Sequence, residues 1–219
     1  MSIKMLVDTP DDRAAAVEAA ARAISRGQLV VLPTDTVYGV AADAFDPDAV
    51  ERLLTAKGRG RAMPPPVLIG DAGTVDALTV DLPYYARTLI DACWPGPLTL
   101  VARQQESLRW DLGETRGTVA VRMPDHDLAL EVLRRTGPLA VSSANTTGKP
   151  AAVTAEQAEE MLGPKVRVTL DDGPTPGETP STILDVTTAR PRLLRAGVLD
   201  LERLDEILAA HDTTVLVEG

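Results

Sequence analysis

Hydrophobic residues in this chain follow two spacings, one typical of helices and one typical of strands, and the two alternate along its length. Apolar positions three and four residues apart predict amphipathic helices, whereas short apolar runs bounded by glycine, proline or polar residues predict buried strands. Helices are predicted over residues 11–26, 46–56 (or 48–56), 84–93, 128–135 and about 200–210, with one more beginning after Thr154. Strands are predicted over residues 28–32, 67–69, 98–102, 118–123, 139–141, 166–170, 181–186 and 192–195.

This interleaving of strands and helices predicts the α/β class, with a twisted, mixed open sheet and flanking helices. A chain of 219 residues without internal repeats is expected to form a single domain over residues 1–219. Its polar motifs lie between residues 28 and 197. The stretch 171–180 is rich in glycine and proline but too short to separate domains, so we expect it to be a ligand-covering loop.

The composition indicates what kind of core the chain has and where in the cell it is expected. Hydrophobic residues make up 44% of the chain but aromatic residues only 3%, so the core is expected to be aliphatic. No run approaches the roughly 18 apolar residues that a membrane span needs, and the first residues lack the apolar segment of a secretion signal. We therefore expect a cytoplasmic protein with no membrane association. Cys93, the single cysteine, lies beside Trp94 and is expected to be a buried, unreactive thiol.

The net charge of −10 argues against a protein that binds nucleic acid over a wide surface, because phosphate binding requires clustered lysine and arginine. Any anion site must therefore be local. Lys57, Arg59 and Arg61 fall within five residues, and a phosphate chain would neutralise them. The alternative is a structural role at the end of a helix, where cations satisfy the last carbonyls. His126 and His211 are the only histidines, so a histidine-based triad or metal site has little support.

Small polar side chains crowd the end of the predicted strand 139–141. Ser142, Ser143 and Asn145 follow the strand, and Gly148 then interrupts any regular element. Open α/β sheets bind ligands at the carboxyl ends of their strands, where donors converge with little bulk in the way. The alternative is a polar loop that caps a turn.

Three other strand ends have the same form. Thr34 and Thr36 follow the strand 28–32. Ser181 begins the strand 181–186, and Arg195 ends the strand 192–195. Alternation along the strand 118–123 sends Thr118, Ala120 and Arg122 to one face.

We expect Arg122 to project toward the same end of the sheet as Ser143, where it could hold a carboxylate in a bidentate pair. The alternative is a salt bridge to Asp125, Asp127 or another acid. The chain contains no Walker A sequence, no GxGxxG fingerprint and no GxSxG elbow. We therefore expect chemistry based on positioning and charge neutralisation, as in nucleotidyl or acyl transfer.

Six sequence blocks together carry a resemblance to a known family. They are PTDTVYG at 33–39, AKGRGR at 56–61, PGPLTLV at 95–101, TVAVRMPDH at 118–126, SSANTTGKP at 142–150, and PSTILD followed by LLRAG up to residue 197. In this order they resemble the threonylcarbamoyl-AMP synthase family, the YrdC-like or TsaC-type proteins, in its single-domain form. The resemblance implies a twisted α/β sheet around a basic concave cleft.

The resemblance also implies an activity. Such enzymes combine L-threonine, bicarbonate or CO2, and ATP to give threonylcarbamoyl-AMP and pyrophosphate, with Mg²⁺ on the triphosphate and no metal ligands from protein side chains. The product serves the tRNA threonylcarbamoyltransferase machinery that modifies adenosine 37. Weak or no stable direct binding of tRNA is expected of the synthase itself. Threonine's amine captures CO2, and the resulting carbamate attacks the α-phosphorus, so no protein nucleophile is needed and no general base is identified.

Site residues are assigned by motif from the same resemblance. The residues implied to bind L-threonine are Thr34, Thr36, Arg122, Ser143 and Ser181. The residues implied to bind ATP are Lys57, Arg59, Thr118, Asn145 and Arg195. Lys57 and Arg59 would be catalytic because they stabilise charge on the phosphates, and Arg122 would pair with the threonine carboxylate.

Two stretches depart from the family pattern. Residues 62–66 read Ala-Met-Pro-Pro-Pro where the family often has Lys-Pro-Leu, so one expected cation is missing. Residues 151–154 read Ala-Ala-Val-Thr where Ser-Pro-Thr is usual, which leaves an ATP contact at that hydroxyl open. Two other functions also stay open: an RNA-binding module without catalysis, which the acidic net charge disfavours, and a related transferase that uses a different amino acid.

Overall fold

Eleven short strands form one sheet within residues 2–217, the part of the chain that the computed structural model describes. The strands are β1 (Ile3–Leu6), β2 (Val30–Leu32), β3 (Gly39–Asp43), β4 (Val67–Leu68), β5 (Thr79–Val80), β6 (Leu98–Gln104), β7 (Thr118–Arg122), β8 (Leu139–Ser143), β9 (Val168–Asp171), β10 (Thr182–Asp185) and β11 (Arg192–Arg195). The α-helices are α1 (Pro10–Ile24), α2 (Pro47–Lys57), α3 (Val75–Leu78), α4 (Tyr84–Cys93), α5 (Asp127–Thr136), α6 (Ala155–Leu162) and α7 (Leu201–Leu208). Single 3-10 turns cover Ala72–Thr74, Gly163–Lys165 and Ala209–His211.

The sheet mixes parallel and antiparallel pairs. Its strands lie in the order β1-β9-β2-β3-β8-β4-β7-β6-β10-β11, with β5 beside β6. The strand β9 is parallel to both β1 and β2, β4 is parallel to β7, and β6 is parallel to β10. The other pairs are antiparallel. The predicted α/β domain with a mixed sheet is confirmed.

Alternation along the strands sends successive side chains into two separate cores. In β8, Leu139 and Val141 join the core around α1 and α5, whereas Ala140 joins the larger core that contains α2, α4, α6 and α7. The core around α1 and α5 includes side chains from β9, β2, β3, β8 and β4 but, among the described residues, none from β6, β7 or β10. On the face of the sheet that α1 and α5 pack against, these two helices do not cover β6, β7 and β10, and the side chains of those three strands line a cleft.

Local sequence signals set the ends of the helices. The Asp46 side chain accepts hydrogen bonds from the N–H groups of Asp48 and Ala49, at 3.0 and 3.1 Å, so Asp46 rather than Asp48 caps α2. At the other end Gly58 has a φ of 62°, which glycine adopts without strain. This left-handed turn ends α2 and redirects the chain immediately before Arg59.

Three strands, β1, β3 and the two-residue β5, have no counterpart among the predictions. Strand β1 (Ile3–Leu6) is an edge strand with exposed side chains, so it lacks the apolar run that identifies a buried strand. Strand β3 reads Gly-Val-Ala-Ala-Asp, and its glycine and alanines have low strand propensity. The antiparallel pairing of β3 with β2 and β8 gives this segment its extended conformation. None of the helices in residues 2–217 has the length and apolar character needed to cross a bilayer.

Gly197 lies against the backbone at the start of β10, and this contact generates a prediction. A Cβ at Gly197 would collide with main-chain atoms of Pro180, Ser181 and Thr182, which cannot yield as a flexible side chain can. We expect Gly197→Ala to lower the free energy of unfolding by about 1–3 kcal/mol, as measured by urea denaturation. Gly177→Ala is the matched control, since a Cβ there meets nothing within 4 Å. Equal stability of the two variants would contradict the prediction.

Candidate active site

A cavity of about 370 Å³ lies on the face of the sheet that α1 and α5 leave open. Its volume falls within the range of roughly 300–1,000 Å³ typical of small-molecule sites. Eight of the ten predicted site residues line it: Thr34, Thr36, Arg59, Thr118, Arg122, Ser143, Ser181 and Arg195. Segments far apart in the chain therefore converge on one cavity. The roles that the resemblance gives these residues stay predictions.

The sequence predicted a site at the carboxyl ends of the strands. The cavity instead runs across the face of the sheet. Strand β4 is parallel to β7 but antiparallel to β8, so Arg122 is level with Leu139 at the start of β8. Arg122 and Ser143 thus end strands that run in opposite directions. The expectation that both lie at the same end of the sheet is wrong. They share the cavity because alternate residues of neighbouring strands face it.

Arg122 is buried at the end of β7 and is held by three partners. Its Nε donates to Gly96 O at 3.0 Å, its Nη1 donates to Thr36 Oγ1 at 3.0 Å, and its Nη2 pairs with the carboxylate of Asp35. The ion-pair partner is therefore neither Asp125 nor Asp127. Burial lowers the pKa of Arg122, and the charge of Asp35 opposes that shift.

The turn after β2 is held by its own hydroxyl groups. Thr34 Oγ1 lies 3.0 Å from Thr36 Oγ1 and donates to Val37 O at 2.7 Å. Both threonine side chains are buried at the cavity wall. The Thr36 hydroxyl is thus fixed between Arg122 and Thr34, as a group that positions a ligand must be.

Arg195 and Ser181 form a second anchored group, where β10 and β11 border the cavity. Arg195 donates to Ser181 O through Nε and Nη2, at 3.1 and 2.8 Å, and to Ser181 Oγ at 3.1 Å. Ser181 Oγ also lies 2.8 Å from Thr99 Oγ1. Thr99 lines the cavity but is absent from the predicted set. The alternation of side chains along β6 could have identified Thr99, because Thr99 and Val101 face the cavity together.

The three cations of the basic block have three different environments. Arg59 lines the cavity and its Nη1 donates to Ser142 Oγ at 3.0 Å. Arg61 lies outside the cavity on the surface, where its Nη2 pairs with Asp111 at 2.6 Å. The interpretation of all three as one anion site is therefore wrong for Arg61, because an acid from another loop already neutralises it.

Lys57 differs most from its predicted placement. Its Nζ donates to Ser143 O, to Asn145 O at 2.7 Å and to Asn145 Oδ1 at 3.0 Å, which occupies all three ammonium donors. Asn145 also accepts from Ser143 Oγ at 2.6 Å and donates to Lys149 O. Neither Lys57 nor Asn145 lines the cavity. Both lie beneath it and fix the segment that carries Ser143.

Positive charge dominates the wall of the cavity. Three guanidinium groups line it, those of Arg59, Arg122 and Arg195, and its described lining includes no aspartate or glutamate. Burial lowers the pKa of Arg195, and the charges of Arg122 and Arg59 lower it further. That mutual repulsion identifies a site with positive charge in excess, in a chain whose net charge is −10. Such a site favours a ligand with several negative charges.

The two departures from the family pattern differ in where they lie. Pro64, Pro65 and Pro66 form part of the cavity wall, whereas the Met63 side chain is exposed. Thr154 accepts from Gln157 N at 3.3 Å as the N-cap of α6, so its hydroxyl is used structurally. Residues 2–217 contain no group of three or more histidine, cysteine, aspartate or glutamate side chains suited to holding a metal ion.

Comparison with known proteins decides the family. The model of the Sua5/YciO/YrdC family, whose description reads telomere recombination, matches residues 22–197. The chain belongs to the Sua5/YciO/YrdC family. The predicted resemblance is thereby confirmed.

Individual members of the family show how far the similarity extends. A Mycobacterium tuberculosis protein, whose name assigns it provisionally as a threonylcarbamoyl-AMP synthase, is 54% identical over 199 residues, 91% of this chain and 92% of that protein. A double variant of Pyrococcus abyssi Sua5 superposes with a TM-score of 0.92 at 35% identity, and P. abyssi Sua5 in complex with L-threonine superposes with a TM-score of 0.89 at 33% identity. Both comparisons cover 100% of this chain and 62% of the P. abyssi chain.

The buried ammonium of Lys57 predicts a pH dependence. Burial, followed by the charge of Arg59, lowers the pKa of Lys57 to about 8. Above this pH the neutral amine has two N–H donors for three acceptors, and the positive charge beneath the cleft is lost. If ATP binds in the cavity, as the resemblance implies, its affinity measured by calorimetry should fall severalfold as the pH rises from about 7 to 9.

Lys57→Met provides the control for that titration, because methionine has no group that loses a proton. It should bind ATP more weakly at neutral pH and show no further loss at higher pH. A wild-type affinity that stays constant over this range, or a variant that declines in parallel with the wild type, would rule out Lys57 as the titrating group.

Proposed function

We propose that the chain is a threonylcarbamoyl-AMP synthase, a nucleotidyltransferase that makes threonylcarbamoyl-AMP and pyrophosphate from L-threonine, bicarbonate or CO2, and ATP. The observation that carries the proposal is a cavity lined by three arginines and no carboxylate in an acidic chain. A triphosphate and an amino-acid carboxylate together supply the negative charge that such a cavity attracts. The names of the relatives and the L-threonine complex of P. abyssi Sua5 agree with this assignment.

The amino acid is assigned to the side of the cavity where Arg122 meets the threonine turn. Arg122 would hold the carboxylate, since two of its N–H groups are left after its three hydrogen bonds. The hydroxyl groups assigned to the rest of the amino acid line the same cavity, and they belong to Thr34, Thr36, Ser143 and Ser181. Lys57 and Asn145 act beneath the site by fixing Ser143.

The nucleotide is assigned to Arg59, Thr118 and Arg195, which line the same cavity. Arg59 has a buried Nε with no hydrogen-bond partner among the described residues, so a donor is available for a phosphate oxygen. Guanidinium groups there would stabilise charge as the carbamate oxygen attacks the α-phosphorus and pyrophosphate leaves. Catalysis by this chain then consists of orienting two reactants and neutralising phosphate charge.

The proposal includes Mg²⁺ as a companion of ATP. Since no cluster of metal-ligating side chains occurs in residues 2–217, the ion is assigned to the phosphates, a common arrangement for Mg²⁺. When bound it would neutralise part of the phosphate charge. We further propose a cytoplasmic enzyme whose product is passed to the transferase machinery that modifies tRNA.

A turnover assay tests the proposed reaction. Pyrophosphate release from ATP with bicarbonate should be stimulated by threonine about 10–200-fold more efficiently than by serine, because one methyl group in a fitted pocket discriminates to that extent. Glycine should be weaker still. Release that does not depend on the amino acid would overturn the substrate assignment, and tight, salt-sensitive tRNA binding without any turnover would favour an RNA-binding module.

Arg59 and Arg61 form a matched pair for testing the nucleotide side. Arg59→Ala should weaken ATP binding by about tenfold or more, the loss typical of a charge-assisted contact, and should leave threonine binding nearly unchanged. Arg61→Ala removes the same charge two residues away, outside the cavity, and should leave both affinities unchanged. Calorimetry that gives equal losses for ATP and threonine in Arg59→Ala would contradict the assignment.

A further inference from the structure

Asp35 lies between two threonines of the cavity wall, yet it does not line the cavity itself. Its side chain is 12% exposed, and its Oδ1 accepts a hydrogen bond from Arg122 Nη2. Its second oxygen, Oδ2, is buried and has no hydrogen-bond partner among the described residues. A carboxylate placed behind an arginine in this way contacts no ligand and acts through the arginine.

The three partners of Arg122 together fix the plane of its guanidinium. Gly96 O takes the Nε–H, Thr36 Oγ1 takes one N–H of Nη1, and Asp35 takes one N–H of Nη2. A guanidinium has five N–H groups, so one remains on each terminal nitrogen. These two N–H groups are available to the oxygens of a carboxylate, provided that the plane of the guanidinium cannot rotate.

Charge explains why the third partner is an acid. Arg122 is buried, and a buried guanidinium without a counter-charge is unfavourable. The alternative acids proposed for it, Asp125 and Asp127, are exposed. Asp35 stabilises the charged form of Arg122, whose pKa burial lowers. Because Asp35 also neutralises part of the charge, its contribution to ligand binding is orientation more than attraction.

We propose that Asp35 is a positioning residue for the amino-acid site, which holds the guanidinium of Arg122 in the plane that recognises the α-carboxylate of the substrate. The inference rests on the proposed function, in which Arg122 holds the threonine carboxylate. It predicts that loss of the Asp35 charge weakens recognition of the carboxylate specifically and leaves contacts to the rest of the amino acid intact.

The test compares L-threonine with L-threonine amide, in which a neutral carboxamide replaces the carboxylate. Calorimetry in bicarbonate-free buffer gives the affinity of each compound for the wild type and for Asp35→Asn. The wild type should bind threonine about tenfold or more tightly than the amide, and the variant should bind the two within about threefold of each other. The KM for ATP should stay within about twofold of the wild-type value.

Asp125→Asn is the matched control, because it removes the same charge three residues from Arg122 at an exposed position. It should keep the wild-type ratio of affinities for threonine and its amide. If Asp35→Asn does not fold, Asp35→Ser replaces it, since serine also removes the charge and leaves room for water beside the guanidinium. The same ratio then decides.

Each outcome bears on a separate statement. An unchanged ratio in the Asp35 variant, with both compounds bound equally more weakly, would show a merely structural role and overturn the inference. A wild-type ratio near one would also overturn it, while threonine-dependent release of pyrophosphate would leave the proposed function in place. Absence of both threonine binding and pyrophosphate release in the wild type would refute the proposed function, and the inference with it.

Discussion

The cleft depends on cations that are buried against neutral main-chain oxygens. Arg195 donates to Ser181 O, and Lys57 donates to the carbonyls of Ser143 and Asn145. Arg122 is the exception, because it donates to Gly96 O and also pairs with the carboxylate of Asp35. Carbonyl oxygens satisfy the N–H groups of a cation, which would otherwise be costly to bury, and they do not cancel its charge. The positive field of the cleft therefore survives burial. A carboxylate beside every one of these cations would have anchored them equally well and left little positive field for a ligand.

The topology of the sheet explains how this arrangement is assembled from distant segments. Because β8 is antiparallel to β4 and β4 is parallel to β7, side chains from opposite ends of strands share one face. The helices α1 and α5 cover the β1 side of that face and leave the rest open. One face of the sheet therefore has two parts. The part covered by α1 and α5 forms a hydrophobic core, and the uncovered part lines the cavity.

Much of this could be predicted from the sequence because periodicity and chemical type are local signals. The bounds of α4 (Tyr84–Cys93) and β11 (Arg192–Arg195) agree with the predictions, and eight of the ten predicted site residues reach the cleft. The partners of these residues could not be predicted. Asp35 could be identified as the partner of Arg122, and the Ser143 and Asn145 carbonyls as the partners of Lys57, only once the strand order was known. Similarly, the sequence around Arg61 does not distinguish it from Arg59. Arg61 lies outside the cavity and pairs with Asp111 of another loop, which only the structure shows.

One wall of the cleft consists of Pro64, Pro65 and Pro66. Proline has no backbone N–H, and its ring fixes φ near −65°. This wall can therefore give a ligand no hydrogen from its main chain, and it changes shape little when a ligand arrives. The prolines give a molecule in the cleft contact area and carbonyl acceptors but no donor, so the hydrogen bonds to its negatively charged groups have to come from other parts of the wall.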